Sequence, residues 1–326
     1  MTTKPYLSGL VLIDKPKGSS SYFLVHNLRK VIFQRAVGHI GTLDEVATGL
    51  MGILVGGATK IEPYLMGLDK VYVAKAFLGL KTTTDDMTGT PTYRHPGPYP
   101  ARRQIEKALA AMEGNVMQAP PSYSAIKVNG KIAYNEARAG RPMDLPPRPV
   151  KAYSLKLLSY DPPVAEFECH VSSGYYVRAL ARDLGMALNM GGGAAFDIKR
   201  LKIGSFDLSM AGPPPTSWED FKERLINPRE ALKHLPEIVL GPEDIKILGH
   251  GGFVPFSASE AAPSFQEGLP EGPCKVIGPD GELFAMAQIP RPEDAGTNAP
   301  RWPFLRPLRV FGSWRGPDKN LINEED

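Results

Sequence analysis

GHIGTLDEVATG, residues 38–49, sets Asp44 in a short polar turn between two apolar stretches, ending at Val37 on one side and beginning LMGILVGGATK on the other. Glycines at 38, 41 and 49 open backbone conformations closed to other residues, or let a ligand approach closely. His39, Thr42, Asp44 and Thr48 supply side chains able to donate, accept or attack. Taken alone, the stretch reads as a turn followed by a helix, with Asp44 or Thr42 as its N-cap. The remainder of the chain favours a sharper reading.

The 326 residues are enough for one large domain and a small one, and with 42% of them hydrophobic the chain can bury a proper core. A net charge of +3 permits a polyanionic partner without demanding one. Cys169 and Cys274 stand far apart and fit no metal or disulfide spacing, which points to a reducing compartment. The apolar run near the N-terminus is too short for a signal-peptide core, and nothing approaches the roughly 18–20 apolar residues that span a bilayer. A cytoplasmic location is therefore expected. Prolines gather at 91–100, 119–121, 142–149, 213–215 and 290–307, as in long loops on a β-rich scaffold.

GLVLIDKP (9–16) reads as a strand stopped by proline, and serines 19–21 offer N-caps for a helix through YFLVHNLRKVIF. VYVAKAFLGL (71–80) alternates as a strand does, and ARRQIEKALAAME (101–113) is amphipathic at helical spacing. AYSLKLLSYD (152–161) and AEFECHVSS (165–173) read as paired strands, YVRALARDLGMAL (176–188) as a helix, and IKRLKIGSFDL (198–208) as a strand. Beyond GPPPTS (212–217) come two short helical pieces flanking HLPEIVL, then Gly- and Pro-rich strands with a hairpin around Gly278-Pro279-Asp280-Gly281.

Six segments gain meaning from their order. DKPKGSSS (14–21), GHIGTLDEVATG (38–49), GGATK (56–60), KVY (70–72), PPSYSAIKVNGKIAYNEAR (120–138) and SSGYYVRALARDLG (172–185) are collinear. They resemble DKPxGxTS, GHTGTLDPLATG, GxATK, KxY, PPxYSAxKxxGxxxYxxAR and SxGTYIRxLxxDxG, the motif set of the bacterial TruB family of tRNA pseudouridine synthases. The resemblance covers residues 9–208. It implies an α+β fold with a mixed, mainly antiparallel central sheet and flanking helices. It further implies a small C-terminal β-barrel, PUA-like module, with a catalytic domain over 1–237, an RNA-binding insertion at about 118–150, and the module from 238 to 326.

The implied activity is isomerisation of a T-loop uridine, position 55 of tRNA, to pseudouridine without metal or cofactor, by an enzyme that binds the tRNA T stem-loop as a monomer. Asp44 takes the part of nucleophile. A carboxylate drawn out of water tends to protonate, and a fixed guanidinium at Arg178 can pair with it and keep it charged. Read alone, Arg178 is a solvated cation in the first turn of a helix. Tyr72 is the implied stacking platform, worth about 1–3 kcal/mol to an unstacked base, although an aromatic on a strand is more often core. Leu201 is the implied apolar wall of the pocket. His39 is assigned to RNA, and Lys15, Lys60, Lys127, Lys131, Arg138 and Arg141 to phosphates.

The chain departs from the motif set at Ile40, Glu45 and Val46, and more mildly at Ser20 and Tyr175. Glu45 matters most: pointing inward it would oppose the charge on Asp44 and repel phosphate, and pointing to solvent it would do little. The competing expectation is a non-catalytic tRNA-binding RNA chaperone, whose tRNA binding would be salt-dependent and indifferent to Asp44→Asn.

Overall fold

The computed structural model describes residues 7–255, 272–291, 293 and 303–311. The chain divides into two compact units. One comprises Val11–Leu54 and Glu62–Arg224, and the other draws on the described residues among 1–10, 55–61 and 225–326.

The larger unit is organised on a nine-stranded mixed sheet. Along its main path the strands run Gly9–Lys15, Thr48–Val55, Gly193–Ile203, Lys70–Leu78, Val164–Val171, Arg148–Asp161 and Gly114–Gln118. Thr48–Val55 and Gly193–Ile203 pair in parallel, whereas Gly193–Ile203, Lys70–Leu78, Val164–Val171, Arg148–Asp161 and Gly114–Gln118 are antiparallel to one another. The strand after the Asp44 turn, TGLMGILV, is buried almost throughout. A continuous apolar run of that kind suits an interior strand rather than one with a wet face. No helix follows Asp44.

Alternation along Lys70–Leu78 is regular: Lys70, Tyr72, Ala74, Ala76 and Leu78 are buried and the residues between them half-buried. The helix Val177–Ala187 packs against this strand and against Gly193–Ile203. Close approach depends on two glycines. A Cβ at Gly193 would overlap the Ala181 carbonyl, and one at Gly185 would overlap Gly192. The first helix, Ser21–Ile32, starts where the serines predict, with the Ser20 hydroxyl accepting from Phe23 N. It buries Leu24, Val25, Leu28 and Ile32 at helical spacing.

Among the described residues the smaller unit holds a five-stranded sheet in the order Glu237–Val239, Pro273–Ile277, Leu283–Gln288, Phe304–Val310 and Val254–Pro255. Its core gathers Ile238, Ile245, Leu248, Val276, Phe284 and Leu305. The hairpin expected around residues 278–281 is present, closed by Gly278 N donating to Glu282 O at 3.0 Å. Among the described residues no helix is long and apolar enough to cross a membrane.

Candidate active site

Asp44 sits in the connection between Val37–His39 and Thr48–Val55, and its carbonyl accepts from Ala47 N at 3.1 Å to close a turn. Four groups hold this connection from different directions. The buried Ser21 hydroxyl takes both backbone groups of Leu43, accepting from its N–H at 3.0 Å and donating to its carbonyl at 2.9 Å. Lys15 Nζ donates to the carbonyls of Ala47 at 2.5 Å and of Glu45 and Pro16 at 3.2 Å. Gly18 N donates to Glu45 O at 2.9 Å. Arg200 donates from Nε to Leu50 O at 2.7 Å and from Nη2 to Gly41 O at 3.1 Å. The strand carrying Arg200 approaches so closely that a Cβ at Gly49, whose φ is +98°, would overlap the Arg200 backbone. The nucleophile candidate thus rides on a backbone fixed on both sides.

The Asp44 carboxylate is 43% exposed and lies against the nearly buried Arg178 side chain, with Arg178 Nε 2.8 Å from Oδ2. That approach is an ion contact rather than an aligned hydrogen bond. The aligned bond runs from Nη2 to Oδ1 at 3.3 Å. Arg178 is itself pinned: Nη1 donates to Thr84 O at 3.0 Å, Nη2 donates to Tyr123 O at 2.8 Å, and Asp86 Oδ2 lies 3.6 Å from Nη1. A buried guanidinium is costly unless it is paired: here two carbonyls and Asp44 Oδ1 accept from its terminal nitrogens, while Nε has no aligned acceptor among the described residues and is balanced only by the charges of Asp44 and Asp86. The result is an anion facing solvent on one side and a fixed cation on the other, ready to act as a nucleophile or base.

Tyr72 is 9% exposed and lies in register between Cys169 and Arg200 on the flanking strands. Leu201 is the extra residue of a bulge, between Arg200 opposite Tyr72 and Lys202 opposite Val71, and is half-buried. His39 is half-buried with an Nδ1 that has no partner among the described residues. Burial pushes its imidazole below the ordinary range, against the pull of Glu62. Glu45 is exposed, which resolves the conditional reading of that departure: its side chain faces solvent while its carbonyl is used by Lys15 and Gly18.

The basic residues separate into distinct groups. Lys15 is fully buried and bonded to three carbonyls, so its place is under the Asp44 turn and not on a phosphate. Lys127 and Lys131 are exposed on a two-strand ribbon turning at Asn129-Gly130, and Arg138 is exposed at the end of the helix Ala133–Arg138. Arg141 is exposed but already joined to Glu136 at 2.9 Å. Lys60 is exposed on the 3₁₀ segment Gly56–Ile61, which belongs to the smaller unit.

Sequence reading missed several residues. Asp86 is buried, its Oδ1 accepting from Thr84 Oγ1 at 2.7 Å and Thr88 N at 2.9 Å. The run TTTDDMTG (82–89) carried the signal, since threonines clustered around paired acids suit a self-bonded turn. Tyr176 lies near enough to Asp44 and Arg178 to feel both charges, and burial pushes its phenol above the ordinary range. Lys70 is buried, bonded to the Met66 carbonyl at 2.8 Å, and burial lowers its ammonium to about 8.

Known proteins resemble this chain in sequence and in shape. The profile of the TruB family pseudouridylate synthases (N-terminal domain) matches residues 29–177. A tRNA pseudouridine synthase B of Syntrophotalea carbinolica is 34% identical over 290 residues, covering 87% of this chain and 93% of that protein. The protein of the same name from an Arthrobacter species is 34% identical over 311 residues, covering 94% and 97%. Among solved structures, a Cbf5-Nop10-Gar1 complex contains a chain that superposes with a TM-score of 0.68 at 21% identity, over 93% of this chain and 85% of that one. At that identity the likeness speaks for the fold, and it extends over both units.

Proposed function

The chain belongs to the TruB family of pseudouridylate synthases, and from that premise we propose that it converts a uridine in the T-loop of tRNA, position 55, to pseudouridine with Asp44 as nucleophile. The relatives' names supply the tRNA, and the family resemblance of the six motifs supplies the T-loop position. The observation that carries the mechanism is the Asp44–Arg178 pair, with the carboxylate half open and the guanidinium fixed behind it.

The reaction breaks the C1′–N1 bond of the uridine, turns the freed base and forms a C5–C1′ bond. The C5 proton leaves and N1 gains one, so no outside group is consumed. A carboxylate held charged beside the sugar and base by Arg178 meets the electrostatic need of such a step. The base must first leave its stack, at a cost of about a few kcal/mol. Tyr72 as a platform returns about 1–3 kcal/mol of that, and Leu201 closes the apolar wall. His39, Lys60, Lys127, Lys131, Arg138 and Arg141 contact RNA in this reading, Arg141 by exchanging Glu136 for phosphate. Lys15, fully buried, braces the Asp44 turn instead. Residues 1–237 carry the chemistry and residues 238–326 form an RNA-binding module, in a monomer working in the cytoplasm.

The test is to incubate unmodified tRNA with the protein and map pseudouridine by carbodiimide adduct and primer extension. A single stop at the T-loop uridine supports the reading. Tight binding with no adduct anywhere would favour the chaperone.

A further inference from the structure

A second arginine, one helical turn past Arg178, repeats its bonding pattern. Arg178 joins Asp86 and the Tyr123 carbonyl. Arg182 joins Asp85, with Nη1 2.8 Å from Oδ2, and the Ala119 carbonyl, with Nη2 donating at 2.8 Å. Its Nε also donates to Asp183 Oδ1 at 2.8 Å. Side chains at i and i+4 lie on one helix face, so adjacent acids in one turn and two carbonyls of one segment meet the same two arginines. Arg182 and Asp85 are 17% and 14% exposed, more buried than a surface ion pair.

Asp85 has φ +60°, in the left-handed region where aspartate is among the few residues tolerated. Its carbonyl accepts from Ala195 N at 3.0 Å, and Met87 N donates back to Ala195 O at 3.1 Å. The turn is therefore tied to the central sheet on both sides of the two acids, and the strained residue carries the acid that meets Arg182. Local strain of this kind persists where surrounding contacts over-determine it. The carbonyls at 119 and 123 belong to the root of the segment that leads through the Lys127–Lys131 ribbon to Arg138. Farther out, that segment holds itself together by Ala133 N to Ile126 O at 2.8 Å and Tyr134 N to Ser124 O at 2.9 Å.

We propose that Arg182 is a positioning residue that, through Asp85 and the Ala119 carbonyl, latches the root of segment 119–141 to the helix carrying Arg178, so that RNA seating by the segment and orientation of the Asp44–Arg178 pair are set together. The proposal rests on the reading of that segment as an RNA contact. The latch needs a planar fork, because one head group must reach a carboxylate, a carbonyl and Asp183 at once. A lysine keeps the charge but offers a single point of attachment.

Two measurements on the full chain test it. In the free protein, hydrogen exchange at the amides of Ala133 and Tyr134 should quicken at least tenfold in Arg182→Lys and in Asp85→Asn, with the helix 177–187 and the central sheet unchanged. On tRNA, single-turnover product formation should fall about tenfold at saturating protein in both variants, with the Kd within threefold of wild type. The double variant should be no slower than the worse single. Unchanged exchange at those amides overturns the latch, as does exchange raised evenly over the whole unit, or full activity in Arg182→Lys. The exchange readout needs no RNA, so a wild type inactive on tRNA would defeat the proposed function and leave the latch to be judged separately.

Discussion

Ser21→Ala separates the rigidity of the Asp44 turn from the stability of the fold. One hydroxyl satisfies both backbone groups of Leu43, at 3.0 and 2.9 Å, in a place where Ser21 is 3% and Leu43 5% exposed. Alanine leaves a buried N–H and a buried C=O without those bonds. An unmet buried polar group costs about 1–3 kcal/mol, and partial relaxation brings the pair to about 2–4 kcal/mol. For a unit of this size each kcal/mol lowers Tm by about 2–4 °C, so the transition should fall by roughly 5–15 °C. Asp44 follows Leu43 directly. A displacement of about 1 Å at a reacting group can cost about 100-fold in rate, and single-turnover conversion of tRNA at a temperature where the variant is folded should drop about 10- to 100-fold. Ser20→Ala is the control. It removes the N-cap bond to Phe23 N, worth about 1 kcal/mol, and touches nothing in the turn, so it should lose stability without losing rate. Equal rates in the two variants, or a Ser21→Ala protein as stable and active as wild type, would refute the bracing argument.

Three further predictions follow from the same geometry. Burial takes Lys70 from 10.5 to about 8, so between those values the unfolded chain binds the extra proton and stability gains up to about 3 kcal/mol as pH rises. Lys70→Met removes this titration but also leaves the Met66 and Leu68 carbonyls without their donor, so the readout is the slope: in urea unfolding wild type should gain stability relative to the variant between about pH 7 and 9.5, and a constant difference would contradict the assignment. Glu45→Gln should change single-turnover rate less than twofold, because the side chain is exposed, and a large gain would mean that the charge reaches Asp44. Tyr72→Leu should cut the rate at least tenfold and lower stability by about 1–2 kcal/mol, as expected for an aromatic-to-aliphatic change of similar burial. An unfolded variant would return Tyr72 to the core.

Much of this protein could be read from its residues. The capping serines 19–21, the alternation at 71–80 and the helical stretch at 176–188 are local signals, and each has its element: a helix capped by Ser20, the strand Lys70–Leu78 and the helix Val177–Ala187. The six motifs placed Asp44 and Arg178, 134 residues apart, in one functional reading, and the fold brings them into contact. Buried cations were harder. The resemblance assigns Lys15 to phosphate, yet its strand Gly9–Lys15 is buried on both faces, with Leu10 and Leu12 as deep as Val11 and Ile13, and a continuous apolar run of that kind is the signal of an interior strand. Along Lys70–Leu78, where alternation is regular, parity puts Lys70 on the buried face of Tyr72. What parity cannot supply is the set of carbonyls that makes such burial tolerable, since these come from turns distant in sequence. Asp86 and Arg182 were missed for a related reason: a threonine-rich acidic turn and an i,i+4 arginine look solvated until tertiary structure turns them toward each other.

The central claim is that this protein makes pseudouridine in tRNA through Asp44. Tritium release from tRNA carrying 5-tritiated uridine, measured for wild type and Asp44→Asn beside the tRNA affinity of each, tests it most directly. The account predicts release by wild type alone and comparable binding by both. Release by Asp44→Asn at the wild-type rate, or by neither protein despite tight binding, would contradict it.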